Sequence, residues 1–293
     1  MKQAEGPSRV VLITGCSSGI GRATALRLVK SGYIVYATAR KISDLDEVAA
    51  AGGVPLSLDV TSDDSMASAV RAVEAEHGSV GVLVNNAGYS QSGAVEAVSM
   101  DRVRAQFETN VFGVARLAQH VLPAMRKRRW GRIINMSSMG GKLTFPGFGY
   151  YHATKYAVEA LSDALRFEVR DFGVRVVLVE PGFIKSGFAE AANSNLKIDG
   201  EVAATYEAFH AAIAKATRES YEKGPLAVLA GVPEDVAAVV QRALEAKRPK
   251  ARYTVTWSAK VLLANKAILT DAGWDWFVGT TVPSPALRLS SAT

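Results

Sequence analysis

Short runs of apolar, mostly β-branched residues recur along the chain, and four of them end in a turn rich in glycine, asparagine, serine or proline. Such runs are typical of strands that are buried on both faces of a parallel sheet. Most of them lie in the first two thirds of the chain, and one short run follows much later. The predicted strands are residues 10–13, 34–38, 54–58, 82–84, 133–136, 175–180 and 253–255.

Longer segments with apolar residues at helical spacing separate these runs. In residues 61–77, Met66, Val70 and Val73 recur at intervals of four and three residues, which places them on one helix face. Further helices are predicted at residues 22–30, 99–125 and 233–246, and another contains Tyr151 and ends near Phe172. This alternation predicts an α/β fold: a doubly wound, Rossmann-like parallel sheet of seven strands with helices on both faces.

Two stretches interrupt the alternation. Residues 183–232 are a long insertion rich in alanine and aromatic residues beside the predicted strand ends, and we expect a helical lid over a binding site. Residues 258–293 contain apolar clusters separated by charged residues, and we expect an extension that packs on the domain. A subunit contact and a membrane-surface anchor are the alternatives. The predicted organisation is one catalytic domain, residues 1–257, followed by this extension.

Composition narrows the functional classes. The 293 residues carry a net charge of +6, which suits a small anionic ligand as well as a nucleic acid. The densest basic run, residues 126–129, ends a predicted helix and complements its dipole, so we predict no nucleic-acid partner. We also predict no membrane span, because no apolar run is long enough, and no metal site. Cys16 is the single cysteine, which agrees with a reducing, cytoplasmic setting.

A serine, a tyrosine and a lysine within one short stretch are the main chemical signal. Tyr151 and Lys155 are four residues apart in a predicted helix, so both side chains lie on one face. An ammonium group nearby lowers the pKa of a phenol, which suits a general acid or base. Ser138, thirteen residues before Tyr151, can donate a hydrogen bond to an oxygen that becomes negative during a reaction.

The turn after the first strand is a second signal. Residues 14–21 read TGCSSGIG and lead directly into a helix, a layout in which backbone N–H groups can hold a pyrophosphate. The second strand ends at Arg40, where NAD-binding folds carry an acidic residue for the ribose 2′-hydroxyl. Because the acid is missing and an arginine is present, we predict NADP (NADPH) as cofactor, with NAD as the less favoured alternative.

In combination, the motifs resemble those of the classical short-chain dehydrogenase/reductase family over roughly the first 190 residues. The matching segments, in the family's order and spacing, are the glycine turn, NNAG at residues 85–88, Asn110, Ser138, the Tyr151–Lys155 pair and Pro181-Gly182. Three short segments are similar to the hydroxysteroid and retinol dehydrogenase-like branch: CSS at residues 16–18 within the glycine turn, ATAR at residues 37–40 and SSMGG at residues 137–141.

The resemblance implies a catalytic tetrad of Asn110, Ser138, Tyr151 and Lys155. Tyr151 would be the general acid/base, and Lys155 would lower its pKa and bind the nicotinamide ribose. Ser138 would hold the substrate oxygen, while Asn110 would anchor a water that passes protons to Lys155.

The resemblance also implies which residues hold the cofactor. Ser18 and Arg40 match positions that favour NADP, and Ser186 stands where the family often has threonine. The implied cofactor-binding residues are Gly15, Ser17, Ser18, Gly19, Ile20, Gly21, Arg40, Asp59, Val60, Asn86, Ala87, Gly88, Tyr151, Lys155, Pro181, Gly182, Ile184 and Ser186.

The expected reaction is NADP(H)-dependent hydride transfer between a hydrophobic secondary alcohol and its ketone or aldehyde. The expected substrate-binding residues are Leu143, Phe145, Phe148, Phe183 and Phe188. Two alternatives stay open: an epimerase or dehydratase that uses the same tetrad, and a non-catalytic NADP-binding regulator. We expect a homodimer or homotetramer, because members of the family usually pair through their long helices.

Overall fold

A seven-stranded parallel sheet is the centre of the structure, a computed structural model that describes residues 7–196, 201–223, 225–280 and 282. The strands are β1 (Val10–Ile13), β2 (Ile34–Ala39), β3 (Val54–Ser57), β4 (Val82–Asn85), β5 (Gly131–Met136), β6 (Val174–Pro181) and β7 (Arg252–Val255). Their spatial order is β3-β2-β1-β4-β5-β6-β7, and every neighbouring pair is parallel. The predicted doubly wound, Rossmann-like α/β fold is confirmed.

Helices cover both faces of the sheet. In the described residues they are α1 (Gly19–Lys30), α2 (Asp46–Ala50), α3 (Asp63–His77), α4 (Met100–Phe107), α5 (Gly113–Arg128), α6 (Gly149–Val169), α7 (Phe188–Ser194), α8 (Glu201–Thr205), α9 (Glu207–Glu222), α10 (Pro225–Val228), α11 (Pro233–Glu245), α12 (Trp257–Ile268) and α13 (Asp271–Gly279). The predicted strands and most of the predicted helices agree with these bounds within a few residues.

The core consists of two apolar layers, one on each face of the sheet. Val11 and Ile13 of β1 belong to the layer that includes Val240 of α11, whereas Val10 and Leu12 belong to the layer that includes Leu117 of α5. Successive side chains of a strand point to opposite faces, so a strand covered on both sides must be apolar at every position. This explains why the predicted strands are continuous apolar runs.

The prediction of one regular helix at residues 99–125 is wrong. After α4, residues Glu108–Phe112 form a π-helical turn, and α5 then continues to Arg128. Asn110 lies in this turn and is 1% exposed, so its place in the helix is not explained by solvent exposure. Wider turns of this kind often occur at functional sites, and apolar periodicity does not reveal a single wider turn.

The described part of the C-terminal extension packs against the body of the protein. Buried residues of α12 and α13, including Leu262 and Trp274, form one apolar cluster with Met139 and Leu143. No helix among the described residues is long and apolar enough to cross a membrane. The predicted boundary at residue 257, between a catalytic domain and an extension, stays a prediction. Residues 1–6 of that domain and residues 283–293 of that extension lie outside the described residues.

Leu83 of β4 tests the two-layer core. The side chain is 0% exposed, so Leu83→Ala should lower the free energy of unfolding by about 2–5 kcal/mol through lost burial and a residual cavity. The matched control is Ile268→Ala at the end of α12, which is 82% exposed and should change stability by less than about 0.5 kcal/mol. Urea unfolding of both variants is the measurement, and equal losses of stability would contradict the assignment of the core.

Candidate active site

One continuous cavity of about 1470 Å³ borders the carboxyl ends of the central strands. From β1 to β3 successive strands are added toward one edge of the sheet, and from β4 to β7 they are added toward the other edge. Open α/β sheets bind ligands in the crevice at the point where this order reverses, here between β1 and β4. We call one part the glycine end; it is lined by Gly15, Ser17, Ser18, Gly19, Arg40, Asp59, Val60, Asn86 and Ala87. The other part, the aromatic end, is lined by Phe145, Phe148, Tyr151, His152, Phe183, Phe188, Ile213, Thr217, Tyr221, Leu262, Phe277 and Val282.

At the glycine end, the turns after β1 and β4 touch backbone to backbone. Gly15 has φ +72°, and a Cβ there would lie 2.9 Å from the Cα of Ala87. The side chain of Asn86 donates hydrogen bonds to the carbonyl oxygens of Thr14 and Gly15, at 2.9 and 3.1 Å. Thr14 Oγ1 in turn accepts the backbone N–H groups of Asn86 and Ala87, both at 2.9 Å. These contacts set the shape of the turn.

The start of α1 suits an anionic group. The first turn of α1 has no acidic residue, and the Ser18 side chain makes no capping hydrogen bond within the described residues. Free N–H groups and the positive end of the helix dipole therefore lie beside the cavity, where phosphate binding is favoured. Exposed Arg40 adds a cation at the end of β2. The glycine end thus fits the phosphates and the adenosine part of a dinucleotide.

Between the two ends, β5 and α6 bring Ser138, Tyr151 and Lys155 together. Tyr151 and Lys155 are buried, and Lys155 Nζ lies 5.7 Å from the centroid of the Tyr151 ring. The ammonium group also donates a 2.8 Å hydrogen bond to the carbonyl oxygen of Met136, at the end of β5. Ser138 hydrogen-bonds to the phenol of Tyr151, and all three side chains line the cavity.

Burial dominates the electrostatics of this group. It raises the pKa of Tyr151 to about 12, and the hydrogen bond from Ser138 offsets only part of this rise. The tyrosine pKa is therefore raised in this structure, and the expected lowering by Lys155 stays a prediction. Burial also lowers the pKa of Lys155 to about 8, against the attraction of the Glu159 carboxylate. At neutral pH, Tyr151 is a neutral phenol that can give a proton, beside a lysine that is still mostly charged.

Asn110 lies behind the cavity rather than in its lining. Its side-chain amide donates to the carbonyl oxygen of Tyr89 at 2.9 Å and to Thr154 Oγ1 at 3.1 Å, and its oxygen accepts the Tyr89 N–H at 3.1 Å. A Cβ on Gly88 would lie 3.1 Å from Asn110 Oδ1 and 3.8 Å from Lys155 Nζ. Asn110 thus ties the loop after β4 to α6 beside Lys155, while its role toward a water stays a prediction.

Two other predicted residues do not reach the cavity. Gly21 supports the glycine turn from within, because a Cβ there would lie 2.1 Å from the carbonyl oxygen of Gly15. The prediction of Leu143 as a substrate-binding residue is wrong, because its side chain is fully buried against the extension. The remaining predicted cofactor and substrate residues line the cavity, among them Ile20, Gly88, Pro181, Gly182, Ile184 and Ser186.

Several lining residues were not predicted from the sequence. Ile213, Ala216, Thr217, Ser220 and Tyr221 of α9 line the aromatic end at spacings of three, one, three and one residues. That helical stripe is visible in the sequence, but only packing decides that it faces the cavity. Residues of the extension also line it, and no motif marks them.

His152 is a further unpredicted residue, next to Tyr151 in the chain. Its ring centroid lies 5.6 Å from that of Tyr151, and its Nδ1 accepts the backbone N–H of Phe145 at 3.2 Å. Burial lowers the pKa of His152 to about 4, so the imidazole is neutral near pH 7. A neutral ring whose Nδ1 accepts a hydrogen bond carries its proton on Nε2.

Strand topology, glycine turn and the Ser138–Tyr151–Lys155 group together define a dinucleotide-dependent oxidoreductase of the Rossmann type. The family model described as short chain dehydrogenase matches residues 9–197. The chain therefore belongs to the short-chain dehydrogenase/reductase family, as the sequence predicted. Its place in the hydroxysteroid and retinol dehydrogenase-like branch stays a prediction.

Two curated relatives are reductases by name. The chain is 44% identical over 186 residues to the 3-ketodihydrosphingosine reductase of Bacteroides thetaiotaomicron, which covers 63% of this chain and 67% of the relative. It is 37% identical over 279 residues to the NADPH-dependent 3-dehydrocapnine reductase of Ornithobacterium rhinotracheale, which covers 91% of this chain and 95% of the relative.

Solved structures agree in fold and in type of cofactor. A short-chain dehydrogenase from Streptomyces avermitilis is 37% identical, with a TM-score of 0.76 over 89% of this chain and 93% of that chain. A serine dehydrogenase complexed with NADP+ has a TM-score of 0.72 at 26% identity, covering 84% of this chain and 94% of that one. A Burkholderia phymatum member in complex with NAD has a TM-score of 0.74 at 25% identity, covering 92% and 94%. These relatives support a nicotinamide dinucleotide as cofactor.

Gly21→Ala tests the glycine turn. The added methyl group would overlap the carbonyl of Gly15, so the turn must shift, and NADPH affinity should fall about tenfold or more. Gly279→Ala is the control, because a Cβ there meets no atom within 4 Å. Fluorescence titration with NADPH measures both variants, and unchanged affinity in Gly21→Ala would show that the turn does not hold the cofactor.

Proposed function

We propose that this protein reduces an apolar ketone or aldehyde to its alcohol with NADPH, and that the reaction is reversible. The observation that carries the proposal is the single cavity in which Ser138, Tyr151 and Lys155 meet, continuous with the glycine turn. A binding protein needs the glycine end alone, whereas a buried phenol and amine beside a serine hydroxyl are the groups of proton transfer to a carbonyl oxygen.

The chemical roles follow from the side chains. When bound, the nicotinamide supplies the hydride or accepts it. The hydroxyl of Ser138 donates a hydrogen bond to the substrate oxygen and so stabilises the charge that develops there. Tyr151, protonated because burial raises its pKa to about 12, donates its proton to that oxygen. The ammonium group of Lys155 favours the phenolate that remains.

NADPH is the proposed cofactor in preference to NADH. Arg40 lines the glycine end, and β2 is not followed by the acidic residue that would hold a ribose 2′-hydroxyl. A guanidinium group pairs well with a 2′-phosphate, since its donors match phosphate oxygens. Ser18, whose side chain makes no capping bond within the described residues, offers a second donor nearby.

The proposed substrate is a hydrophobic ketone or alcohol. Phe145, Phe148, Phe183 and Phe188 line the aromatic end, and the ring of Phe188 lies 5.5 Å from that of Tyr151. Both curated relatives are named as reductases, of a 3-keto and a 3-dehydro compound, which supports reduction of a ketone. We propose that residues 183–232 act as the lid over this end and that residues 1–257 are the catalytic domain.

We further propose a homodimer or homotetramer that forms through α5 and α6. Tyr156, Leu161 and Phe167 of α6 are exposed apolar side chains, and Phe167 is 66% exposed. Exposed apolar residues of this kind are common at contacts between subunits. A cytoplasmic location is part of the proposal and suits the single, buried Cys16.

Tyr151→Phe tests the proton-transfer role. The variant should bind NADPH as the parent does and lose at least about a hundredfold in kcat, because the proton donor is gone. Turnover is measured as NADPH oxidised per alcohol formed, and a one-to-one ratio in the parent separates reduction from epimerisation or dehydration. The control is Tyr150→Phe, whose hydroxyl instead donates to the carbonyl oxygen of Val95 at 3.1 Å. Turnover at the parental rate in Tyr151→Phe would remove Tyr151 from the mechanism.

Arg40→Asp tests the cofactor preference. Replacing the cation by a carboxylate repels the 2′-phosphate and offers an acceptor to the 2′-hydroxyl, so kcat/KM should shift from NADPH toward NADH by at least about tenfold. Arg104→Asp, on the exposed surface of α4, is a control with the same change of charge. The measurement is kcat/KM with NADPH and with NADH for each variant. An unchanged preference in Arg40→Asp would exclude Arg40 as the determinant of cofactor preference.

A further inference from the structure

The C-terminal extension forms one wall of the aromatic end. Leu262 of α12, Phe277 of α13 and Val282 line the cavity, although they follow the last strand of the sheet. Leu262 also belongs to the apolar cluster that contains Met139, the residue after Ser138. Val282 packs against a different cluster, which contains Ile213 of α9. The extension therefore reaches from the loop after β5 to the proposed lid.

Trp274 fixes the position of this wall relative to the reacting groups. Its indole N–H donates a 3.1 Å hydrogen bond to the carbonyl oxygen of Thr144, in the loop between Ser138 and Tyr151. Its ring lies 5.8 Å from Phe145 and 5.4 Å from Phe277, measured between centroids. Because Trp274 is buried and bonded at its polar end, Phe277 is held at a defined place.

The surface between the phenol and the extension is a succession of neighbouring rings. Centroid distances are 5.6 Å from Tyr151 to His152 and 6.2 Å from His152 to Phe145, and the contacts through Trp274 continue to Phe277. Charged groups are missing from the far side: among the described residues, the lining between positions 181 and 282 contains no Asp, Glu, Lys or Arg. A group that extends from the reacting carbonyl in this direction meets only neutral, mainly apolar surface.

We propose that Phe277 and Leu262 end the substrate pocket and set the length of the apolar chain that the enzyme accepts on its ketone. The inference rests on the function proposed above and adds a role for the extension. A chain that stops short of the two side chains leaves apolar surface uncovered, whereas a chain that reaches them buries each added methylene. A longer chain collides with Phe277, whose ring is held through Trp274.

The test is a series of unbranched 2-alkanones from four to sixteen carbons, with NADPH and the full chain. For the parent, kcat/KM should rise by up to about fourfold per added methylene and then stop rising at a defined length. Phe277→Ala should move this limit to longer ketones, and Phe277→Trp should move it to shorter ones. Leu262→Ala should act in the same direction as Phe277→Ala.

Trp276→Ala is the matched control. It removes an aromatic ring from the same helix at the neighbouring position, but its side chain is 73% exposed and does not line the cavity. Its chain-length profile should coincide with that of the parent. Dissociation constants of the ketones, measured by calorimetry in the Tyr151→Phe background, should show the same shifts without turnover.

The outcomes separate the two proposals. Opposite shifts of the limit in Phe277→Ala and Phe277→Trp, with no shift in Trp276→Ala, support the inference. Tyr151-dependent reduction with the same profile in all variants overturns the inference and leaves the proposed function intact. If Phe277→Ala does not fold, Phe277→Trp and Leu262→Ala carry the same comparison. A parent that oxidises no NADPH with any carbonyl compound overturns the proposed function, and the binding constants then decide the inference.

Discussion

Contact between the turns that follow β1 and β4 is the constraint on which the rest of the site depends. After these touching turns the chain continues to helices on opposite faces of the sheet, so a crevice opens beside the turns. Gly15 lies so close to Ala87 that no side chain fits between them, and Thr14 and Asn86 join the two turns by hydrogen bonds. The positive end of α1 is thereby placed at the same opening as the loop that leads to Asn110.

Two buried polar groups, the phenol of Tyr151 and the amine of Lys155, lie next to each other at the same opening. Tyr151 and Lys155 lie on α6, which packs against the sheet, and Lys155 is bonded to the end of β5. Removal from water raises the pKa of the phenol to about 12 and lowers that of the amine to about 8, so the phenol holds its proton more tightly than the amine does. A phenol that holds its proton at neutral pH suits donation to a carbonyl oxygen, which agrees with reduction as the proposed direction.

The proposed substrate pocket and the proposed reaction centre have different structural origins. The proposed reacting groups come from strands and helices that the family model covers, residues 9–197. The aromatic end is completed by α9 on one side and by α12 and α13 on the other, mostly outside that range. Trp274 connects the two parts, because its hydrogen bond to Thr144 ties the extension to the loop that carries Ser138. The proposed reaction centre and this wall of the pocket thus come from different parts of the chain.

The sequence by itself determined the sheet, the glycine turn and the pairing of Tyr151 with Lys155. These features depend on local periodicity: strands covered on both faces are continuously apolar, and residues four apart share a helix face. Only the tertiary structure decided that Asn110 lies in a π-helical turn, that Leu143 faces the extension, and that burial raises the tyrosine pKa. Each of these depends on which distant segments pack together, and on how much water they exclude, which no short-range pattern encodes.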